Sequence, residues 1–239
     1  MADAAVQVVL VPGFWLGGWA WDDVIEPLRD AGLVPHAVTL PGLTPDAADR
    51  GAVTRADHVD AVRALVATLD GPVVLVGHSG GGALVGEVLD RDPDRYARVV
   101  FVDSGPLVDG ARLAPALPPG VTEIALPEWD ELEAQGSSLA GLDGASLARF
   151  RERAVPQPAL VATGVVRMRD PARLEVPATV VCTSISADQL RTLASHDAPF
   201  HTELLDYADV SWVDLPTGHW PMLSRPADLA AVLVGACET

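Results

Sequence analysis

The chain has 239 residues, 49% of them hydrophobic, and its 33 acidic against 16 basic residues give a formal charge of −17. That length suits one large α/β domain or two small ones with a substantial core, and the apolar content excludes a disordered chain. So acidic a surface repels phosphate backbones and anionic lipid, so neither nucleic acid nor membrane is expected as a partner. All sixteen basic residues are arginine. Two cysteines, Cys182 and Cys237, are too few and too far apart for a disulfide framework or a zinc site, and no metal is expected. Cys182 lies in an apolar run and reads as a core residue. No signal-peptide pattern opens the sequence and no apolar run reaches membrane-spanning length, which leads to the expectation of a cytoplasmic protein.

In chain order, residues 6–11 (VQVVLV) form a first strand, stopped by Pro12-Gly13. Residues 21–31 suggest a helix despite Pro27, closed by Gly32, and residues 33–40 a second strand halted by Pro41-Gly42. Residues 54–69 place Val59, Val62, Leu65, Val66 and Leu69 at helical spacing. Residues 73–76 form a third strand, 80–89 a helix and 98–103 a fourth strand. Residues 104–175 break the rhythm, being rich in Pro, Gly, Ala and charge, with a helical piece at 143–153. Alternation resumes with a strand at 178–183, a helix at 187–195, a strand at 210–215 and a helix at 226–235. This order predicts an α/β fold, a doubly wound and mostly parallel sheet formed by residues 1–103 and 176–239, with 104–175 as a small helical cap insertion.

Ligand sites in such sheets lie beyond the carboxyl ends of the strands, and that rule selects the chemistry-bearing residues. Val73-Val-Leu-Val76 runs straight into Gly77-His-Ser79-Gly-Gly81-Gly, a match to the sharp strand-to-helix turn that exposes a serine above the sheet. A glycine-rich turn that merely connects strand to helix is the plainer alternative. A serine hydroxyl needs a base, usually histidine, and the histidine needs a carboxylate to fix its tautomer. Two backbone N–H groups must then hold the developing oxyanion. Of six histidines, His219 lies in the loop between the last strand and the last helix, where it would face Ser79. His78 would point away from Ser79 and reads as structural or pocket-shaping, while His36, His58, His196 and His201 are expected to be solvated.

Ser79 in GHSGGG, the late His219 loop and the PGFWLGGWAW segment resemble the α/β-hydrolase superfamily. The stretch from Val11 to Trp21 and the following PLRDAGLVPHAVTLPG are similar to its compact branch of plant methylesterases and hydroxynitrile lyases. The resemblance implies an oxyanion hole formed by the N–H groups of Phe14 and Gly80. Many members have His-Gly where this chain has Pro12-Gly13, a change that affects loop packing more than the donors. In most members the acid follows the penultimate strand, but residues 181–188 carry no carboxylate at that point. Asp188 comes late, behind Ser186 as a helix N-cap, and would equally serve the helix dipole. Asp103 ends the strand after the elbow, where some branches place the acid and many carry a noncatalytic aspartate. Asp103 is preferred over Asp188, and a missing acid is the third alternative.

The insertion resembles a substrate-pocket cap. Trp129, Leu132, Leu139, Leu142 and Phe150 would line an apolar cavity with Phe14, Trp15 and Trp220, or else pack cap against core. These readings lead to a serine hydrolase acting on a small, hydrophobic carboxylic ester, lactone or thioester, without a cofactor and with a small molecule as its partner, as a monomer or homodimer. Two rivals stand beside it. One is a hydroxynitrile-lyase-like or other carbon–carbon lyase or cyclase, although the branch's lyases carry a pocket lysine and this chain has none. The other is a noncatalytic small-ligand-binding protein.

Overall fold

The computed structural model describes residues 4–114, 116–195 and 202–238. The chain runs β1 (Gln7–Val11), α1 (Asp22–Asp30), β2 (Val34–Ala37), α2 (Arg55–Val66), β3 (Val73–His78), α3 (Gly80–Arg91) and β4 (Tyr96–Val102). It leaves the sheet through β5 (Glu123–Ile124), α4 (Trp129–Ala134), α5 (Gly144–Arg153), β6 (Gln157–Pro158) and α6 (Ala159–Thr163). It returns through β7 (Ala178–Cys182), α7 (Ala187–Ala194), β8 (Val210–Asp214), α8 (Pro221–Ser224) and α9 (Pro226–Glu238). Six strands form one parallel sheet in the order β2-β1-β3-β4-β7-β8.

The continuous valine runs of β1, β3, β4 and β7 are explained by burial on both faces. Successive side chains alternate between two cores. Val9, Val11, Leu75, Val99 and Phe101 pack with Val59 and Val62 of α2, Leu84 and Val88 of α3 and Leu190 of α7. On the other face Val8, Leu10, Val74, Val76 and Val100 pack with Val24 and Leu28 of α1 and Leu229 and Leu233 of α9. The winding follows from chirality. Right-handed crossovers put α1 on one face because β1 leads outward to β2, and α2, α3 and α7 on the other because those connections advance the opposite way. The direction reverses between β1 and β3, and sheets of this kind bind ligands beyond the carboxyl ends of the strands near such a reversal.

Local chemistry fixes the helix ends. Thr54 and Asp57 form a reciprocal capping box at the start of α2, and Ser186 and Gln189 do the same for α7. Asp188 is exposed in the first turn of α7, where its charge favours the helix dipole. The buried Arg55 joins α2 to α3 by donating to Glu87 at 2.7 Å and to the Ala83 carbonyl at 2.8 Å. The insertion rejoins the core where the buried Asp90 accepts the Arg169 and Asp170 amides at 2.7 and 2.8 Å.

Some expectations change. The second strand ends at Ala37, because after Val38 has donated to Leu10 the chain leaves the ladder. The insertion adds a short antiparallel pair, β5 with β6, to its helices. His58 is not solvated: it is 1% exposed and shares a hydrogen bond of 2.8 Å with the Pro41 carbonyl. His36 is half-buried and bonded to the Gln7 amide oxygen. His196 and His201 lie outside the described residues. Cys182 is a core residue, 2% exposed. No helix of the described residues is long and apolar enough to cross a membrane.

Burial pushes the His58 imidazole down from its ordinary 6.5 to about 4, against the hydrogen bond to Pro41. Between those values the unfolded chain binds a proton at this position that the native state refuses. The stabilisation is therefore complete above pH 6.5 and falls with pH, by roughly 1.4 kcal/mol per unit for one such group. Urea unfolding of the parent and of His58→Asn at pH 7 and pH 5 checks this. The parent should lose more stability than the variant over that interval, and equal losses would contradict it.

Candidate active site

β3 ends in a turn that only small residues allow. A Cβ on Gly77 would lie 2.6 Å from the Gly81 carbonyl oxygen, and one on Gly81 would lie 2.6 Å from the Pro12 carbonyl oxygen. The chain can therefore pass from β3 into α3 in direct contact with the end of β1. Ser79, at the apex, has φ +52° and ψ −125°. Among the described residues four non-glycines have positive φ, and three of them, Trp15, Ser79 and Asp103, follow the carboxyl ends of β1, β3 and β4. Strain concentrated there is characteristic of a functional site.

The loop after β8 brings His219 between Ser79 and Asp103. Its Nε2 is 2.8 Å from Ser79 Oγ and its Nδ1 is 2.6 Å from Asp103 Oδ2. A carboxylate can only accept, so Nδ1 carries the proton and Nε2 is left as acceptor for the Ser79 hydroxyl. Asp103 is itself tightly held. Its Oδ1 accepts the amides of Thr183 and Ser184 at 3.1 and 3.0 Å, and its Oδ2 accepts the Ser184 hydroxyl at 2.6 Å. Burial alone would raise the Asp103 pKa, but His219 and Ser184 outweigh it and hold the carboxyl well below the ordinary carboxylate range.

The His219 loop is anchored from three sides. His78 is fully buried and donates from Nε2 to the His219 carbonyl at 2.7 Å. Burial, with His219 nearby, pushes the His78 pKa down to about 3, so the ring stays neutral. The Thr183 hydroxyl donates to the Gly218 carbonyl at 3.0 Å. The insertion supplies the third anchor: the amides of Gly218 and His219 donate to the carbonyls of Ala140 and Ser138 at 2.9 and 2.7 Å.

Phe14 and Gly80 come together beside Ser79, the Phe14 ring lying so close to Gly80 that a Cβ there would be 2.8 Å from it. Gly80 is the first residue of α3, so its N–H has no partner within the helix. The Phe14 loop is clamped by the insertion, because Trp15 Nε1 donates to the Ile124 carbonyl at 3.0 Å and the Val155 amide donates to the Trp15 carbonyl at 2.9 Å.

A cavity of about 380 Å³ opens at Ser79, His219 and Asp103, with Ala83, Leu107 and Leu113 on its apolar side and Ser104, Gln135 and Ser137 on its polar side. The three tryptophans expected to line it are elsewhere. Trp220 is 2% exposed and packs edge-on against His219 and Phe150, with ring centroids 4.9 and 5.1 Å away. Trp129 packs on Phe150 beneath the Arg151 guanidinium, and Trp15 is spent on the clamp just described. Leu132 and Phe150 are fully buried in the same cluster, with Leu139 and Leu142 against it. These side chains join insertion to core because burial in that joint removes more apolar surface from water than a place on a cavity wall would.

The model of the Alpha/beta hydrolase family matches residues 8–232. The chain belongs to that family. This alpha/beta hydrolase is 37% identical over 123 residues to a carbendazim hydrolyzing esterase of a Nocardioides species, an alignment covering 48% of this chain and 50% of the relative. It is 37% identical over 105 residues to the esterase PIR7B of Oryza sativa subsp. japonica, covering 39% and 37%. The chain thus spans half or less of the length of these curated relatives. An extracellular alpha/beta-hydrolase from a Paenibacillus species superposes with a TM-score of 0.76 at 20% identity, covering 97% of this chain and 98% of that one, which shows the shared fold.

In this alpha/beta hydrolase the structure brings Ser79, His219, Asp103, Phe14 and Gly80 together and leaves Asp188 apart on α7. Sequence reading placed Ser184 at this edge of the sheet without a role, and missed Thr183, Gln135 and Ser137. The hydroxyl pair at the end of β7 was visible as the place where a carboxylate was sought, but nothing in the sequence ties it to Asp103. Among the described residues no group of three or more His, Cys, Asp or Glu is arranged to hold a metal ion.

The elbow makes a prediction. Gly81→Ala should cost about 1–3 kcal/mol through overpacking, and should lower any activity that depends on the Phe14 loop. Gly144→Ala, at a position with open space around the new methyl, should be close to neutral. Paired urea unfolding curves test this, and equal midpoints for the two variants would contradict it.

Proposed function

We propose that this chain is a serine hydrolase that cleaves a small carboxylic ester through an acyl-enzyme, with residues 104–175 acting as the cap of a core made by 1–103 and 176–239. One observation carries the reading: the unbroken hydrogen-bond line from Ser79 Oγ through His219 to Asp103, beside an open cavity. The relatives named esterase support it.

In this reading His219 Nε2 takes the Ser79 proton as Oγ bonds to the substrate carbonyl carbon. The carbonyl becomes an oxyanion, which accepts from the N–H groups of Phe14 and Gly80. Asp103 stabilises the imidazolium without taking its proton. When the carbon–oxygen bond to the alcohol breaks, His219 gives its proton to the departing oxygen. Water then repeats the sequence on the acyl-enzyme and releases the acid and free Ser79. The cavity lining is compatible with a small ester of mixed character. Leu107 and Leu113 suit an apolar body, while Ser104, Gln135 and Ser137 offer partners to a polar group on the same molecule.

Fluorophosphonate labelling with peptide mapping, run beside turnover of short aryl esters, tests the reading. Ser79 should be modified stoichiometrically in the parent, and Ser79→Ala and His219→Ala should abolish labelling and lower turnover by at least about 10³-fold. Asp103→Asn should lose about 10²–10⁴-fold while Asp188→Asn stays near the parent. Correctly folded parent that binds esters but neither labels nor turns them over would return the chain to a ligand-binding role.

A further inference from the structure

Two adjacent hydroxyls end β7, and each holds one member of the histidine–carboxylate pair. Thr183 Oγ1 donates to the Gly218 carbonyl and so fixes the main chain that carries His219. Ser184 Oγ donates to Asp103 Oδ2 at 2.6 Å, onto the same oxygen that lies 2.6 Å from His219 Nδ1. The other carboxylate oxygen, Oδ1, is fixed by two main-chain amides that no side-chain substitution removes. The orientation of Oδ2, and the charge it presents to His219, therefore rest on one side chain.

We propose that Ser184 is a positioning residue for the proton transfer of the serine hydrolase reading, its hydroxyl aiming Asp103 Oδ2 at His219 and setting how strongly that oxygen stabilises the imidazolium. The inference rests on that reading of the site. A hydrogen bond to an ionised acceptor is short and strong, and it withdraws charge from the oxygen that accepts it. Two donors share Oδ2, so the carboxylate is a weaker partner for the imidazolium than it would be with His219 alone. Removing the Ser184 hydroxyl has two consequences of different kinds. Asp103 Oδ2 loses an orienting contact, which slows the step that needs His219 in line. The same oxygen becomes more negative, which favours protonated His219 and moves the acid limb of the pH–rate profile upward.

The other groups around Asp103 do not supply that limb. His78, at the end of β3, stands 4.9 Å ring to ring from His219 and is held neutral by burial, its pKa pushed down to about 3. Cys182, on β7, has its thiol pushed up to about 12, by burial first and then by the charges of Asp214 on β8 and of Asp103. The insertion presents Gln135 and Ser137, which carry no charge.

The test is the pH dependence of kcat and kcat/KM for an aryl ester, measured on the parent, Ser184→Ala, Ser184→Thr and Thr183→Val, with thermal unfolding of each. Ser184→Ala should lower kcat about tenfold with KM nearly unchanged, and its acid limb should move up by about half a pH unit. Ser184→Thr, which keeps a hydroxyl, should restore the parent limb. Thr183→Val, which loosens the His219 loop but leaves the donors on Asp103, should lower kcat without moving the limb. Should Ser184→Ala fail to fold, Ser184→Cys keeps the volume, weakens the donor and carries the same expected shift. A lowered melting temperature with an unmoved limb, or equal shifts in Ser184→Ala and Thr183→Val, would overturn the proposal. Failure of the underlying reading would look different, because the parent itself would then neither turn over esters nor react with fluorophosphonate at Ser79.

Discussion

One largely buried carboxylate, that of Asp103, holds the strand ends of this molecule together. Asp103 extends from β4, accepts two amides and a hydroxyl from the end of β7, and meets the histidine carried by the loop after β8. Through that histidine it reaches the serine at the end of β3. Burying a charge is costly unless it is paired and hydrogen-bonded, and here four donors offset the cost on two oxygens. The result is a carboxylate that stays ionised where most of its water has been removed, facing an imidazole whose tautomer it dictates.

The rest of the fold keeps those strand ends where the carboxylate needs them. Four central strands are buried on both faces by alternating valines, so neither a register slip nor a tilt of one strand is cheap. The glycines at 77 and 81 let α3 start against the end of β1, which sets Phe14 and Gly80 side by side next to Ser79. The insertion contributes position as well as cover. Its carbonyls at 138 and 140 hold the His219 loop, and Ile124 and Val155 clamp Trp15, so both His219 and the candidate oxyanion donors depend on residues far away in sequence.

Much of this was legible in the amino-acid sequence because it is written in periodicity and in glycine. Valine runs that end in glycine-bracketed Ser79 identify both a central strand and the turn after it, and a histidine just past the last strand has one edge to face. Asp103 against Asp188 was harder, since both follow strands and the sequence does not say which carboxylate is within reach of a ring. The capping box at Ser186 committed Asp188 to the surface of α7, and the left-handed turn at Asp103 aimed the other inward. The cavity wall was the least legible part. Large aromatic side chains in the insertion suggested an apolar pocket, but Phe150 and Trp220 are buried together between insertion and core with the partly buried Trp129 packed on Phe150, and smaller residues, Ala83, Ser104 and Ser137 among them, line the space that remains. His58 was misjudged for a related reason: its place one helical turn from Thr54 gives no sign that α3 and the Pro41 loop cover it.

The central claim is that Asp103 acts only through His219, as one unit with Ser79, and a double-mutant cycle on those two residues measures it most directly. Specific ester turnover, as kcat/KM, would be compared for the parent, Asp103→Asn, His219→Ala and the double variant. With one unit at work, the double variant loses no more than His219→Ala alone, within about threefold. Losses that multiply would contradict the account, and would place Asp103 outside the chemistry proposed for Ser79 and His219.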